Sequence, residues 1–184
     1  MSIVYGERIR LRAVEREDVI KFHEWVNDPE VTRGLAMNLP MSLVDEENWI
    51  NSLAKRDQKE KPLAIEVRKG KNWKLIGNCG VFDLDPVSSS AELGIMIGDK
   101  AEWNKGYGSE VMSLLVRHCF ETLNLNRVSL KVYTENIRAV RSYEKAGFVL
   151  EGRLREAVYK HGKYDDVLIM SVLRSEWASR NKEK

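Results

Sequence analysis

Cysteine and histidine are scarce in this chain: its 184 residues include two of the first and three of the second. Cys79 and Cys119 stand in neither a CxxC nor a metal-type spacing, so both read as buried thiols of a reducing cytoplasm. His23, His118 and His161 fall in separate elements, and no metal is expected. An excess of one charge is also lacking. A formal net charge of +2 leaves no basic face of the kind that nonspecific nucleic-acid binding needs. No apolar run approaches membrane length and the first ten residues hold no signal-peptide core, so a cytoplasmic location with no membrane partner is expected. Repeats and low-complexity segments are missing as well. Residues 1–184 therefore read as a single domain, with a polar, frayed tail over 178–184.

What is there centres on residues 91–123. Ala91, Leu93, Ile95 and Ile97 alternate with Glu92, Gly94 and Met96, the two-residue period of a strand. After Gly108 the period changes, and Val111, Leu114, Leu115, His118, Cys119 and Leu123 recur on one face of a helix. Between the two lies Trp103-Asn104-Lys105-Gly106-Tyr107-Gly108-Ser109. Glycines at a helix start let several amide N–H groups face one point, a site suited to phosphate. The loop contains no Gly-x-x-x-x-Gly-Lys-Ser/Thr, and Val111 takes the third position of Gly-x-Gly-x-x-Gly. A P-loop and a dinucleotide fold both lose support.

On either side the pattern is regular. Ile9 to Val14 alternates as a strand, Glu17 to Val26 is helical, and Asn27-Asp28-Pro29 ends that helix. Val31 to Met41 reads as a loop, and Ser42-x-x-Asp45 is a capping-box start for a second helix. Leu63 to Val67 and Trp73 to Leu84 form a hairpin around Lys69-Gly-Lys-Asn72. Arg127 to Val132 is a strand and Asn136 to Ala146 a helix that Gly147 closes. Phe148 to Leu154 and Asp165 to Leu173 pair around His161-Gly162-Lys163. The result is an α/β (α+β) chain with a mixed, mostly antiparallel sheet of about seven strands flanked by helices.

Trp103-x-x-Gly106-Tyr107-Gly108-Ser109-Glu110, followed about thirty residues on by Asn136-x-x-Ala139-x-x-x-Tyr143-Glu144-Lys145-x-Gly147-Phe148, resembles the GNAT N-acetyltransferases. Within them it is similar to the branch of ribosomal-protein N-terminal and spermidine acetyltransferases, over roughly Ile9 to Trp177. The resemblance implies a sheet splayed after its fourth strand, with acetyl-CoA as cosubstrate wedged into the V. It implies that backbone groups of Gly94, Ile95, Met96 and Ile97 hold the pantetheine arm. The loop from Trp103 through Asn104, Lys105, Gly106, Tyr107, Gly108 and Ser109 would hold the diphosphate. Many relatives begin that loop with Gln or Arg, so Trp103 implies a first contact made by backbone. Lys105 either adds charge there or is solvated.

Acetyl transfer to an amine needs a diphosphate grip, a polarised carbonyl, a neutral amine and a proton for the leaving thiolate. In the family the tyrosine matching Tyr143 protonates the thiolate, and the asparagine matching Asn136 bonds the pantetheine or orders the loop. The alternatives are a packed tyrosine and a plain helix N-cap. Glu92 is the candidate base, unless it is merely a solvent-facing strand residue. One family pattern places the base on the next strand, where Lys131 stands here, leaving Glu92, Glu102 or a water chain, with Asp83 and Asp85 behind them. The loop Arg33-Gly-Leu-Ala-Met-Asn-Leu-Pro-Met41, implied to wall the acceptor, carries no acid, and Leu35, Met37, Leu39 and Met41 suit a single amine. The reading is an N-acetyltransferase acting on a peptide N-terminus or a small monoamine. The alternatives are a polyamine, a drug or sugar amine, and a non-catalytic acyl-CoA-binding module. A homodimer is common among relatives.

Overall fold

A computed structural model describes residues 3–37 and 40–182. Its strands follow the order β1-β2-β3-β4-β5-β6-β8-β7 in one eight-stranded, mostly antiparallel sheet. The Cα atoms cluster into two compact units, Met1–Gly80 with Ile95–Tyr107, and Val81–Gly94 with Gly108–Lys184. Among the described residues no helix is long and apolar enough to cross a membrane.

In the first unit, β1 (Val4–Tyr5) pairs antiparallel with β2 (Ile9–Ala13). This eighth strand escapes the sequence pattern because two residues cannot display a period. Along β2, Ile9 and Leu11 are fully buried, while Arg10 and Arg12 turn to the other face. There they meet carboxylates: Arg12 grips Asp18 with two hydrogen bonds of 2.7 and 2.8 Å, and both arginines reach the buried Glu66 of β3 (Leu63–Lys69). Pairing lets these charges stay buried. Helix α1 (Val19–Val26) buries Val19, Phe22 and Trp25. Asp28 then caps a single turn, α2 (Pro29–Thr32), whose N1 proline needs no N–H partner. Ser42 and Asp45 form the expected capping box of α3 (Leu43–Ser52). Phe22, Trp25, Val31 and Met96 make a core cluster against which Leu35, Trp49 and Trp103 pack.

Two strands pass from one unit into the other, β4 (Asn72–Asp85) and β5 (Ser90–Ile97). In the second unit, α4 (Tyr107–Glu121) buries Val111, Met112, Leu115 and Phe120. The parallel register of β5 with β6 (Arg127–Tyr133) covers Ser90–Glu92 against Arg127–Ser129. Five further residues of β5 extend beyond that register, from Leu93 to Ile97. After α5 (Ile137–Lys145), β7 (Val149–Lys160) and β8 (Lys163–Leu173) form a hairpin longer than the sequence pattern suggests. An irregularity between Leu154 and Val158, with Glu156 at φ 50°, breaks the alternation and hides the far half of β7. The stretch read as a frayed tail is helical as far as Lys182 (α6, Arg174–Lys182). Trp177 packs on Phe120, and Arg180 donates to the Gly147 carbonyl at 2.6 Å. Those long-range contacts order a segment whose own composition is polar. Residues 183 and 184 lie outside the described ones.

Candidate active site

The loop between β5 and α4 is built by its own side chains. Asp99 accepts from the Ala101 amide at 3.0 Å and starts a single 3-10 turn over Lys100–Glu102. Trp103 turns inward, its indole donating to the Ile97 carbonyl at 2.7 Å. That bond takes up one of the β5 carbonyls expected to face the pantetheine arm. Asn104 and Gly106 adopt left-handed φ of 61° and 82°, and α4 starts at Tyr107. The two glycines have different reasons. Gly106 holds a left-handed backbone, whereas Gly108 permits close approach, since a Cβ there would meet Ser142 Oγ at 3.1 Å. Ser109 and Ser142 hydroxyls hydrogen-bond at 3.0 Å beside it, joining the start of α4 to α5.

Glu102 is the buried hub of the loop, 4 % exposed. Lys69 and Lys105 donate to it at 2.9 Å and Lys74 at 3.2 Å. Burial pushes its carboxyl up, but the three ammonium groups outweigh that and hold it down at about 2. So acidic a group is a poor proton acceptor at neutral pH, which removes Glu102 from the candidate bases. Lys105, expected either on a phosphate or in solvent, is instead tied to Glu102. Arg8 went unnoticed in the sequence, where a lone arginine before a strand gives no signal. Its guanidinium lies 4.8 Å from the Tyr107 ring centroid and donates to the Lys105 carbonyl at 3.2 Å. Lys69, Lys74 and Lys105 thus converge on Glu102, and Lys74 also pairs with Asp99.

In the second unit, Asn136 caps α5 by accepting from the Ala139 amide at 3.2 Å. Tyr143 follows two turns later, 8 % exposed and packed on Phe148 with ring centroids 6.0 Å apart. Burial pushes its phenol up to about 12, so it stays protonated across the working pH range. Glu92 is half-buried on β5 and accepts from Lys131 Nζ at 2.7 Å. The bond to Glu92 raises the lysine, and the field of Asp83 adds to it. Asp85 is committed to a turn, accepting from Val87 N, Ser88 N and the Ser88 hydroxyl. Its carboxyl is held below the usual range by that hydroxyl and those amides. Among the described residues no group of His, Cys, Asp and Glu is disposed to hold a metal.

The segment expected to wall the acceptor is only partly apolar lining. Leu35 packs into the Phe22–Trp25 cluster of the first unit, and Leu39 lies outside the described residues. Met41 is held through its backbone: its N–H donates to Asn27 Oδ1, while its carbonyl accepts from Asn27 Nδ2 and faces His23 Nε2 at 3.1 Å.

The acetyltransferase (GNAT) domain family matches residues 8–149, well over half the chain and running through both units. The chain belongs to the GNAT acetyltransferases. An N-acetyltransferase of Bacillus licheniformis, p20, is 32% identical over 182 residues, covering 97% of this chain and 99% of its own. The spermidine N(1)-acetyltransferase of Vibrio cholerae is 30% identical over 176 residues, covering 96% and 99%. A crystal structure of spermidine N-acetyltransferase from Vibrio cholerae in complex with CoA and spermine superposes with a TM-score of 0.85 at 29% identity, covering 94% of this chain and 99% of that one. Like other GNAT enzymes, this acetyltransferase moves an acetyl group from acetyl-CoA to an amine.

Proposed function

We propose that this acetyltransferase acts by direct attack of a primary amine on acetyl-CoA, with a peptide N-terminus or a small monoamine as acceptor. Both units then constitute one acyltransferase domain, working in the cytoplasm and assembled as a homodimer. The diphosphate is assigned to the loop Trp103–Ser109, whose left-handed backbone at Asn104 and Gly106 and whose lead into the start of α4 suit an anion. Pantetheine is assigned to Ile95, Met96 and Ile97 together with Asn136, the thiolate proton to Tyr143, and the acceptor proton to Glu92.

The observation that carries the choice of acceptor is the Lys131–Glu92 ion pair. A polycation is recognised by several uncommitted carboxylates, because an unpaired buried charge is costly. Here Glu92 is paired with Lys131, Glu102 with three lysines, and Asp28 and Glu30 share Lys100. An N-terminal amine ordinarily titrates near pH 8, against about 10.4 for a lysine side chain, so it also needs less of a weak base. Short peptides with free N-termini are expected to be acetylated faster than spermidine when the two compete at equal concentration for limiting acetyl-CoA. Mass spectrometry of the products decides it, and acetyl groups found mostly on spermidine would refute the assignment. That polyamine reading is the second one, and the full-length likeness to the Vibrio cholerae spermidine enzyme favours it.

Coenzyme binding has its own test. Gly106→Val forces a β-branched residue to φ 82°, a strain of about 1–3 kcal/mol concentrated in the loop. Calorimetry with acetyl-CoA on the folded variant is expected to show affinity lowered by about tenfold or more. Unchanged affinity would move the diphosphate site elsewhere.

A further inference from the structure

Glu92 is the last residue of β5 in register with β6, its Cα partner being Ser129. Lys131 stands two residues further along β6 and on the same face as Ser129, while Leu130 and Val132 turn to the buried face. The lysine reaches back across the point where the shared register ends and bonds Glu92 at 2.7 Å. On its other side, the Cα partner of Lys131 is the apolar Ile169 of β8. The carboxylates acting on Lys131 are thus Glu92 directly and Asp83 through its field.

The pair is an exchangeable one. Side-chain exposures are 55% for Lys131 and 31% for Glu92, and an ion pair so open to water is weak. A second ammonium can therefore take the place of Lys131 at Glu92, but only against a tethered competitor of the same charge.

We propose that Lys131 is a specificity-determining residue, an internal ammonium that occupies Glu92 and sets the enzyme against polycationic acceptors. The inference rests on the assignment of Glu92 to the acceptor site made above. A single amine meets this competitor once, with one ammonium for one carboxylate. A polyamine loses more: Lys131 cancels one anion and repels each additional charge that the polyamine brings. Selectivity is then produced by a repulsive group on the enzyme. Without the lysine, Glu92 and Asp83 would present two negative charges to an incoming chain of ammonium groups.

Lys131→Met removes the charge and keeps most of the length, and Lys131→Arg keeps the charge. Two measurements apply to both variants and the natural protein. One is the partition of acetyl groups between spermidine and a short peptide; the other is calorimetric titration with spermidine in the absence of acetyl-CoA. Lys131→Met is expected to raise the spermidine-to-peptide ratio and the spermidine affinity by roughly five- to tenfold, with Lys131→Arg close to the natural protein. Equal ratios and affinities in the methionine variant and the natural protein would overturn the proposal. So would an arginine variant that behaves like the methionine one, because the effect would then be one of shape. If the natural protein releases no thiol with either amine, the acceptor assignment fails by itself, and the titration still decides whether Lys131 excludes polycations.

Discussion

Replacing Tyr143 by phenylalanine is expected to lower turnover by about 10²-fold while leaving acetyl-CoA affinity nearly unchanged. The ring is packed on Phe148 and 8 % exposed, so the phenylalanine keeps the packing and loses only the hydroxyl. Burial pushes that hydroxyl up to about 12, which bears on how it can act. A phenol so weakly acidic does not ionise ahead of the reaction. On the assignment proposed above it would donate a hydrogen bond to the thiolate as negative charge develops there, giving up its proton only as the sulfur departs. An interaction made only as charge develops raises kcat rather than lowering KM. The expected loss corresponds to about 2.7 kcal/mol of transition-state stabilisation, at about 1.4 kcal/mol per tenfold. Thiol release at saturating acetyl-CoA measures it, with circular dichroism to establish the fold. The same burial has a consequence for pH: no alkaline limb of the natural enzyme's profile below about pH 11 should be assignable to Tyr143. A phenylalanine variant of full activity would reduce the residue to a packing role.

Gly77→Ala is expected to cost about 3 kcal/mol of stability, and with it the binding of acetyl-CoA. A Cβ on Gly77 would lie 1.9 Å from the Met96 carbonyl oxygen, 2.9 Å from its carbon and 3.0 Å from Ile97 Cα. All three are backbone atoms within the first unit, so no side chain can swing away to make room. The methyl must displace β5 where Ile95–Ile97 is assigned to pantetheine. For a chain of this size the loss corresponds to a fall in Tm of roughly 6–12 °C. Gly152→Ala is the matched control, since a Cβ there meets nothing within 4 Å and the backbone is unstrained. Thermal unfolding followed by circular dichroism compares the two. A Gly77→Ala protein as stable as Gly152→Ala would show that β5 yields at little cost.

Three lysines converge on Glu102, which fixes them beside the loop, and Arg8 covers Tyr107. A buried acid thus serves to position cations rather than to accept a proton. The pairing of Lys131 with Glu92 follows the same pattern at lower burial, where the bond is weak enough to exchange.

What the chain alone determined is local or repeated along the backbone. The capping box at Ser42 and Asp45, the cap at Asn136, the hairpin at Gly70 and the strand-to-helix change around Gly106 and Gly108 depend on residues a few positions apart. The ordered pair of motifs carried the family in the same way, and with it the amine acetyl transfer. Tertiary structure alone decided which charges meet. Glu102 and Lys69 are far apart in the chain, as are Glu92 and Lys131 or Arg8 and Lys105, and each pair exists only because the folded chain brings it together, across neighbouring strands in the case of Glu92 and Lys131. Before folding Lys105 could be read as a phosphate ligand or a solvated group, and Glu102 as a base. Periodicity records which face a residue takes, but partner and burial set its charge state, and both are properties of the folded chain.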